Sequence, residues 1–385
     1  MKGRFIAKVG LVSVLIITVG LLGLEGAYRL YKWKKYGMVE TPNIFTVGVY
    51  VVDPVYGKVP QKNFKFEDLD PRLRNPANGV QGFDKKVSFN SLGYRGKEFS
   101  AAKPPQTYRI VVLGDAATLG LECDDPDTWP ARLEERLQKD SAFLRRHGVA
   151  RAEVINGAFV GWRTREGLLR LQNEVIHFDP DVLMVAFNKN DAYKAMQGRD
   201  AHATIFPSNP PRLALLENLS IRYANRVKGP ENYKSMLTYL RRDAAWAQAY
   251  ADNVAAMKTI ADRIGSTMVL VNLPGVSRNE DRQTPEYQLI IESNILTPGI
   301  YVLWARLQSF MSGFINDLGT KYDVPVIDAH KYFYKFKNGE RIKLFTAMGH
   351  PSCSGAESVA EAIYAARDAW DKGAGHGKNG QRRQA

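Results

Sequence analysis

Between residues 108 and 370, five short apolar runs alternate with stretches of helical periodicity, and this alternation limits the chain more than any other feature. The runs cover residues 108–113, 153–155, 182–187, 267–272 and 324–328. Helices are predicted over residues 128–138, with Thr128 as N-cap, and over 164–177, 244–264, 301–318 and 355–370. The run from Val182 to Phe187 has no polar alternation and suits a strand buried on both faces. Strands separated by helices imply a parallel, doubly wound sheet, here a three-layer α/β/α sandwich of five strands. Sites in such sheets lie beyond the carboxyl ends of the strands, so the residues just after each run are the candidates for function.

The chain has 385 residues, 45% of them hydrophobic, and only two cysteines. That balance excludes a disordered chain, a disulfide scaffold and a multi-span membrane protein. The net charge of +13 suggests a nucleic-acid surface until it is located. Residues 1–36 hold +6 of it and residues 372–385 hold +4, which leaves +3 spread without a basic stripe over residues 37–371. No nucleic-acid partner is therefore expected, and anionic lipid headgroups are the natural match for the basic N-terminal flank. Residues 5–24 form an apolar stretch whose one charge is Lys8, and 20 residues of helix span about 30 Å. A cleaved signal peptide is the competing reading, but the residues after the stretch offer a poor small-x-small site. The stretch is read as an uncleaved signal-anchor in contact with membrane lipid, with the C-terminal domain extracytoplasmic (periplasmic or at the cell surface). Residues 37–107 read as an extended arm or cap, and residues 108–371 as the main domain. Insertions fall near 192–235 and 275–300, and the basic tail from 372 to 385 is expected to be disordered.

Four blocks stand at the expected places. Gly114-Asp115-Ala116 follows the first run, and Asn156-Gly157-Ala158-Phe159-Val160-Gly161 follows the second. Asn188-Lys189-Asn190-Asp191 follows the third, and Ala347-Met348-Gly349-His350-Pro351 precedes the final helix. In order and spacing these resemble the SGNH hydrolase superfamily, also called GDSL-like lipases and acylhydrolases, over about residues 108–370. Upstream, Asn90-Ser-Leu-Gly-Tyr-Arg-Gly looks like the segment that precedes this domain in membrane-anchored bacterial members. The resemblance implies an ester-cleaving triad of Ser, His and an Asp three residues before the His. It also implies an oxyanion hole made by the nucleophile's own N–H, a glycine and an asparagine. Carried over, the histidine falls on His350, the glycine on Gly161 and the asparagine on Asn190. Asp115 reads as a turn residue that can also face the cleft.

Two positions depart from the pattern. Ala116 occupies the nucleophile position and Ala347 the triad aspartate position, and Asn188 replaces the usual glycine two residues before Asn190. Alanine has no lone pair with which to attack a carbonyl, so the acyl-enzyme route is closed at Ala116. Thr118, two residues on, cannot share the serine geometry without rebuilding the turn. Without a carboxylate at position 347, His350 is expected to lose its tautomer lock, with Asp328 a remote stand-in. Trp162 and Arg163 fit either packing or contact with a sugar or acidic group. In the resembled fold the loops carrying Cys123 and Cys353 border one cleft, which leaves three readings: a disulfide, two unrelated buried thiols, or a thiol nucleophile in place of the serine, though neither cysteine sits at the nucleophile position. No metal site or cofactor motif is present. The reading is a non-hydrolytic binding or scaffold domain for an acylated glycan, a lipid or a membrane protein partner. The alternative is an SGNH ester hydrolase or O-acyltransferase, either one that lost its serine and aspartate, in its lineage or by engineering, or one that uses a substitute nucleophile.

Overall fold

The computed structural model describes residues 2–39, 46–78, 82–196, 245–275, 298–346 and 349–371. Most of both expected insertions, the C-terminal tail and Ala347 lie outside the described residues. The chain starts with α1 (Lys2–Tyr36), a hairpin of β1 (Tyr50–Asp53) and β2 (Gly57–Pro60), and the short α2 (Pro71–Arg74). The main domain begins with β3 (Thr107–Gly114), α3 (Ala116–Leu119), α4 (Trp129–Lys139), α5 (Ser141–His147) and β4 (Arg151–Asn156). It continues with α6 (Thr164–Asn173), β5 (Val182–Ala186), α7 (Asn190–Met196), α8 (Ala245–Arg263) and β6 (Thr267–Asn272). It ends with α9 (Pro298–Tyr322), β7 (Val326–Asp328), α10 (Ala329–Phe333), α11 (Asn338–Ile342), α12 (Cys353–Ala365) and α13 (Arg367–Trp370).

Five parallel strands form one sheet in the order β4-β3-β5-β6-β7. Alternate side chains of each strand enter one of two cores, which makes the three layers visible in the sequence itself. Val111, Leu113, Leu183, Val185 and Leu270 pack with Leu171 of α6, Val254 and Met257 of α8, and Leu307 and Met311 of α9. Ile110, Val112, Met184, Val269 and Val271 pack on the other face with Leu133 and Leu137 of α4 and Val359 and Ile363 of α12. The arm closes the first of these cores, contributing Val49, Phe66, Phe83, Val87, Phe89 and Tyr94 as buried side chains.

One buried cation links several elements at the start of the sheet. Arg109 of β3 is fully buried and donates from Nε to Glu153 of β4 at 2.7 Å. Its two terminal nitrogens donate to the carbonyls of Ser100, Ala101 and Phe178 at 2.8–3.0 Å. One arginine thus joins two strands to the arm and to the segment before β5.

Boundaries differ from expectation where local chemistry intervenes. The predicted 164–177 helix stops at Asn173 and tightens into a 3-10 turn over Val175–Phe178, which ends where Asp179 takes φ +51° ahead of Pro180. The predicted last helix breaks at Ala366, which turns Trp370 inward so that its indole donates to the Ile363 carbonyl at 3.2 Å. Thr128 holds the N-cap position of α4, but its hydroxyl donates to the Asp125 carbonyl at 3.2 Å instead of capping the helix.

Within α1, Val12–Tyr36 is long and apolar enough to cross a membrane, with a mean hydropathy of 1.5 and almost none of it buried against the rest of the chain. A signal sequence passes the same test. The C-terminal end of α1 meets the domain directly, because Arg72 of α2 donates to the Trp33 carbonyl at 3.0 Å and lies over the Trp33 ring.

Candidate functional site

Strand order reverses direction between β3 and β5, and the loops that leave their carboxyl ends open the crevice in which such folds hold ligands. Gly114 ends β3 opposite Ala186 of β5. A side chain at Gly114 would run into the Thr118 side chain and approach the Ala186 carbonyl to 3.0 Å, so the close approach requires glycine. Asp115 then caps α3, accepting from the Ala117 N–H at 3.0 Å and, across the crevice, from the Asn188 N–H at 3.4 Å. Burial pushes the Asp115 carboxyl upward, against the pull of His350 and Lys189. Lys189 in turn has its ammonium pushed downward by burial, opposed by Asp115.

Ala116 is the first residue of α3, where the resemblance places the nucleophile. No nearby hydroxyl or thiol stands in for it among the described residues. The Thr118 hydroxyl is fully buried and donates to the Ala186 carbonyl at 3.3 Å. Cys123 and Cys353 form a disulfide with Cα atoms 5.3 Å apart, so the reading of two unrelated thiols gives way to a covalent link between the loop after α3 and the start of α12.

The second and third blocks meet through their backbones. Gly161 has φ +74°, a conformation that favours glycine, and its carbonyl accepts from Lys194. The Asn190 side-chain amide donates to the Trp162 carbonyl at 2.9 Å, which ties α7 to the turn that holds Gly161. Trp162 and Arg163 take the packing role. The Trp162 indole is buried and donates to the Lys58 carbonyl of β2 at 2.7 Å, and the buried Arg163 pairs with Glu166 at 2.8 Å. Asn188 fills the family's glycine position by reaching inward, donating to Gln308 of α9 at 3.0 Å.

His350 has a carboxylate partner, and it is not the one expected. Its Nδ1 lies 2.7 Å from Oε1 of Glu122, the residue before the half-cystine Cys123. The expectation that the imidazole is left without an orienting acid is therefore corrected. Asp328 does not supply it, because its carboxylate caps α10 at Lys331 and accepts from Asn272 of β6. Burial alone would raise the Glu122 carboxyl, but the facing imidazole and the charge of Arg95 outweigh it and hold Glu122 below the usual carboxylate range. An ionised carboxylate accepts only, so the His350 nitrogen that faces it, Nδ1, is the donor of this contact.

Arg95 of the arm braces this corner. It is buried, pairs with Asp125 at 2.5 Å, and donates to the Cys123 carbonyl at 2.8 Å. Glu122 did not stand out in the sequence, and Arg95 did so only as part of the Asn90-Ser-Leu-Gly-Tyr-Arg-Gly segment, with no role assigned to it. The available signal was indirect, an acid next to one cysteine when the other cysteine lies three residues after His350.

The sheet order, the glycine-tight turn after β3 and the clustering of the four blocks at one end of the sheet agree with the sequence resemblance. The fold is of the SGNH-hydrolase type. No family model and no curated protein matches the chain. Solved structures similar to it include a protein described as a GDSL-like lipase from Parabacteroides merdae, at 12% identity and a TM-score of 0.43, covering 71% of this chain and 99% of that one. An acetyl xylan esterase is similar at 15% identity and a TM-score of 0.42, covering 67% and 98%. A lipase/acylhydrolase from Enterococcus faecalis is similar at 17% identity and a TM-score of 0.38, covering 68% and 95%.

Proposed function

We propose that this is a membrane-anchored SGNH-type domain that binds an acylated glycan or lipid, or a membrane protein partner, in its crevice without forming an acyl-enzyme. The observation that carries the reading is Ala116 at the start of α3, with the Thr118 hydroxyl turned into the core and both cysteines joined to each other. A comparable hydrolase loses about 10⁶ in turnover with its serine, and what remains comes from binding and oxyanion stabilisation. A crevice in that state holds ester-bearing ligands and releases them unchanged. The apolar Val12–Tyr36 helix supports an anchor, and an extracytoplasmic domain agrees with a cystine at the crevice.

The test is calorimetric titration of the purified full chain with acetylated oligosaccharides and with their deacetylated forms, while free acetate is followed in the same samples. Preferential binding of the acetylated form without acetate release is expected. Steady acetate release would overturn the reading.

A second reading rests on a separate observation. The oriented His350–Glu122 pair is what an ester hydrolase or O-acyltransferase needs apart from its nucleophile. On that reading Ala116→Ser alone turns the protein into an esterase toward short-chain nitrophenyl esters.

A further inference from the structure

We infer that Glu122 is the positioning residue for His350, taking over from the opposite wall of the crevice the part that position 347 has lost, and that the Cys123–Cys353 disulfide holds the pair in register. The inference rests on the reading above only in placing His350 in the ligand crevice.

Three independent observations carry it. The first is geometry, with His350 Nδ1 and Glu122 Oε1 2.7 Å apart and both side chains shielded, at 17% and 21% exposure. Such a contact fixes both the ring plane and the tautomer of the imidazole. The second is that Glu122 has no competing role. Its other oxygen, Oε2, is buried with no hydrogen-bond partner among the described residues, so no helix cap accounts for the carboxylate being there, and Arg95 acts on it through its charge. A half-satisfied buried carboxylate is costly, which makes a purely structural origin a poor explanation.

The third is the way the two loops are joined. Glu122 and His350 are 228 residues apart in sequence, yet the disulfide links the residue after Glu122 to a residue three beyond His350. The Cys353 sulfur also lies 3.4 Å from the Glu122 carbonyl. From behind, Arg95 holds the Cys123 carbonyl at 2.8 Å, so the segment carrying Glu122 is fixed on two sides. On the histidine side, the His350 carbonyl accepts from the Thr346 N–H at 2.8 Å, and Ser352 opens α12 by accepting from the Gly355 N–H at 3.2 Å. Two further charged groups lie within electrostatic reach of the pair, Asp115, which feels the charge of His350, and Arg95, which acts on Glu122.

The experiment uses the full chain in detergent with ¹⁵N-labelled histidine. A carboxylate-bound imidazole Nδ1–H gives a proton signal far downfield of ordinary ring N–H signals, and loss of the signal in His350→Gln assigns it. It is expected in the native protein, weakened but present in Glu122→Asp, and gone in Glu122→Gln. It should also disappear when a dithiol reductant opens the cystine, forming two cysteine thiols and the oxidised reductant. The other histidine signals report whether each variant is folded, and reduction supplies the answer where Glu122→Gln is not. A signal that is absent from the native protein, or that persists in folded Glu122→Gln, overturns the inference. In the Ala116→Ser background, Glu122→Gln should lower kcat by about 10⁴ with KM little changed, and Glu122→Asp should restore part of it. Equal kcat with and without Glu122→Gln would also overturn the inference. An Ala116→Ser enzyme that is silent counts against the ester-crevice reading and leaves the imidazole signal to decide the pair.

Discussion

The Thr164 hydroxyl donates to Asp191 Oδ1 over 2.7 Å while the Thr164 backbone N–H donates to Oδ2 over 3.2 Å. The first turn of α6 is thereby clamped to the first turn of α7, which carries Asn190. Burial pushes the Asp191 carboxyl up from 3.8 to about 6, further than these two hydrogen bonds can offset. The folded state therefore binds this proton more tightly than the unfolded one. The resulting stabilisation is complete below the unfolded value and is lost as pH rises through 6. Between pH 4 and pH 7 it amounts to at most about 3 kcal/mol. Asp191→Asn keeps an acceptor for the hydroxyl but cannot ionise. Its melting temperature should fall less than that of the native protein over the same pH range, and parallel profiles would refute the assignment.

Gly167 in α6 faces the ring of Phe187, and a Cβ there would lie 2.5 Å from the ring's Cζ. Alanine favours the helix by about 1 kcal/mol over glycine, but overpacking costs about 1–3 kcal/mol. Gly167→Ala should be destabilising on balance in denaturant titration. A more stable variant would show that α6 can shift away from the sheet.

Arg109→Met should cost about 3–5 kcal/mol, because it leaves Glu153 buried without its partner and frees three carbonyls at once. Arg109→Met with Glu153→Leu should recover a large share of that loss. The pair of midpoints tests whether the charge or the carbonyl network dominates.

Removing residues 1–36 should give a folded protein that needs no detergent, since almost none of the apolar Val12–Tyr36 span is buried against the rest of the chain. Its melting temperature should stay within a few degrees of the full chain. N-terminal sequencing of the protein recovered from whole cells should still find Met1 if the helix is an anchor, whereas a trimmed start would identify it as a cleaved signal.

Much of this was legible in the residues. The run at 182–187 announced a strand buried on both faces, and Val182–Ala186 is buried at every position. The strand at 267–272 matches its observed bounds because Gly265 and the end of the apolar run both mark them. The blocks after β3, β4 and β5 could be placed because a parallel sheet sends its strand ends to one side. What escaped was the partner of His350. A triad is read from sequence by spacing, and Glu122 comes from a loop 228 residues away for which no spacing rule exists. The arm's part was equally hidden, since Arg95 lies in a segment without periodicity and its role depends on carbonyls at Leu119 and Cys123.

The cystine, whose ends are 230 positions apart in sequence, makes a covalent ring that contains β4, β5, β6 and β7 but leaves β3 outside. In the unfolded chain such a ring removes on the order of 5 kcal/mol of conformational entropy, by the loop-closure argument. Yet β3 lies between β4 and β5, so the strand that completes the sheet belongs to the part of the chain the ring does not enclose. Oxidation therefore draws four strands toward one another in the denatured ensemble while the fifth stays on a free arm. The gap between β4 and β5 is closed by β3, through its strand pairing, its buried side chains and Arg109, so the ring is completed as a sheet only by a strand that lies outside it.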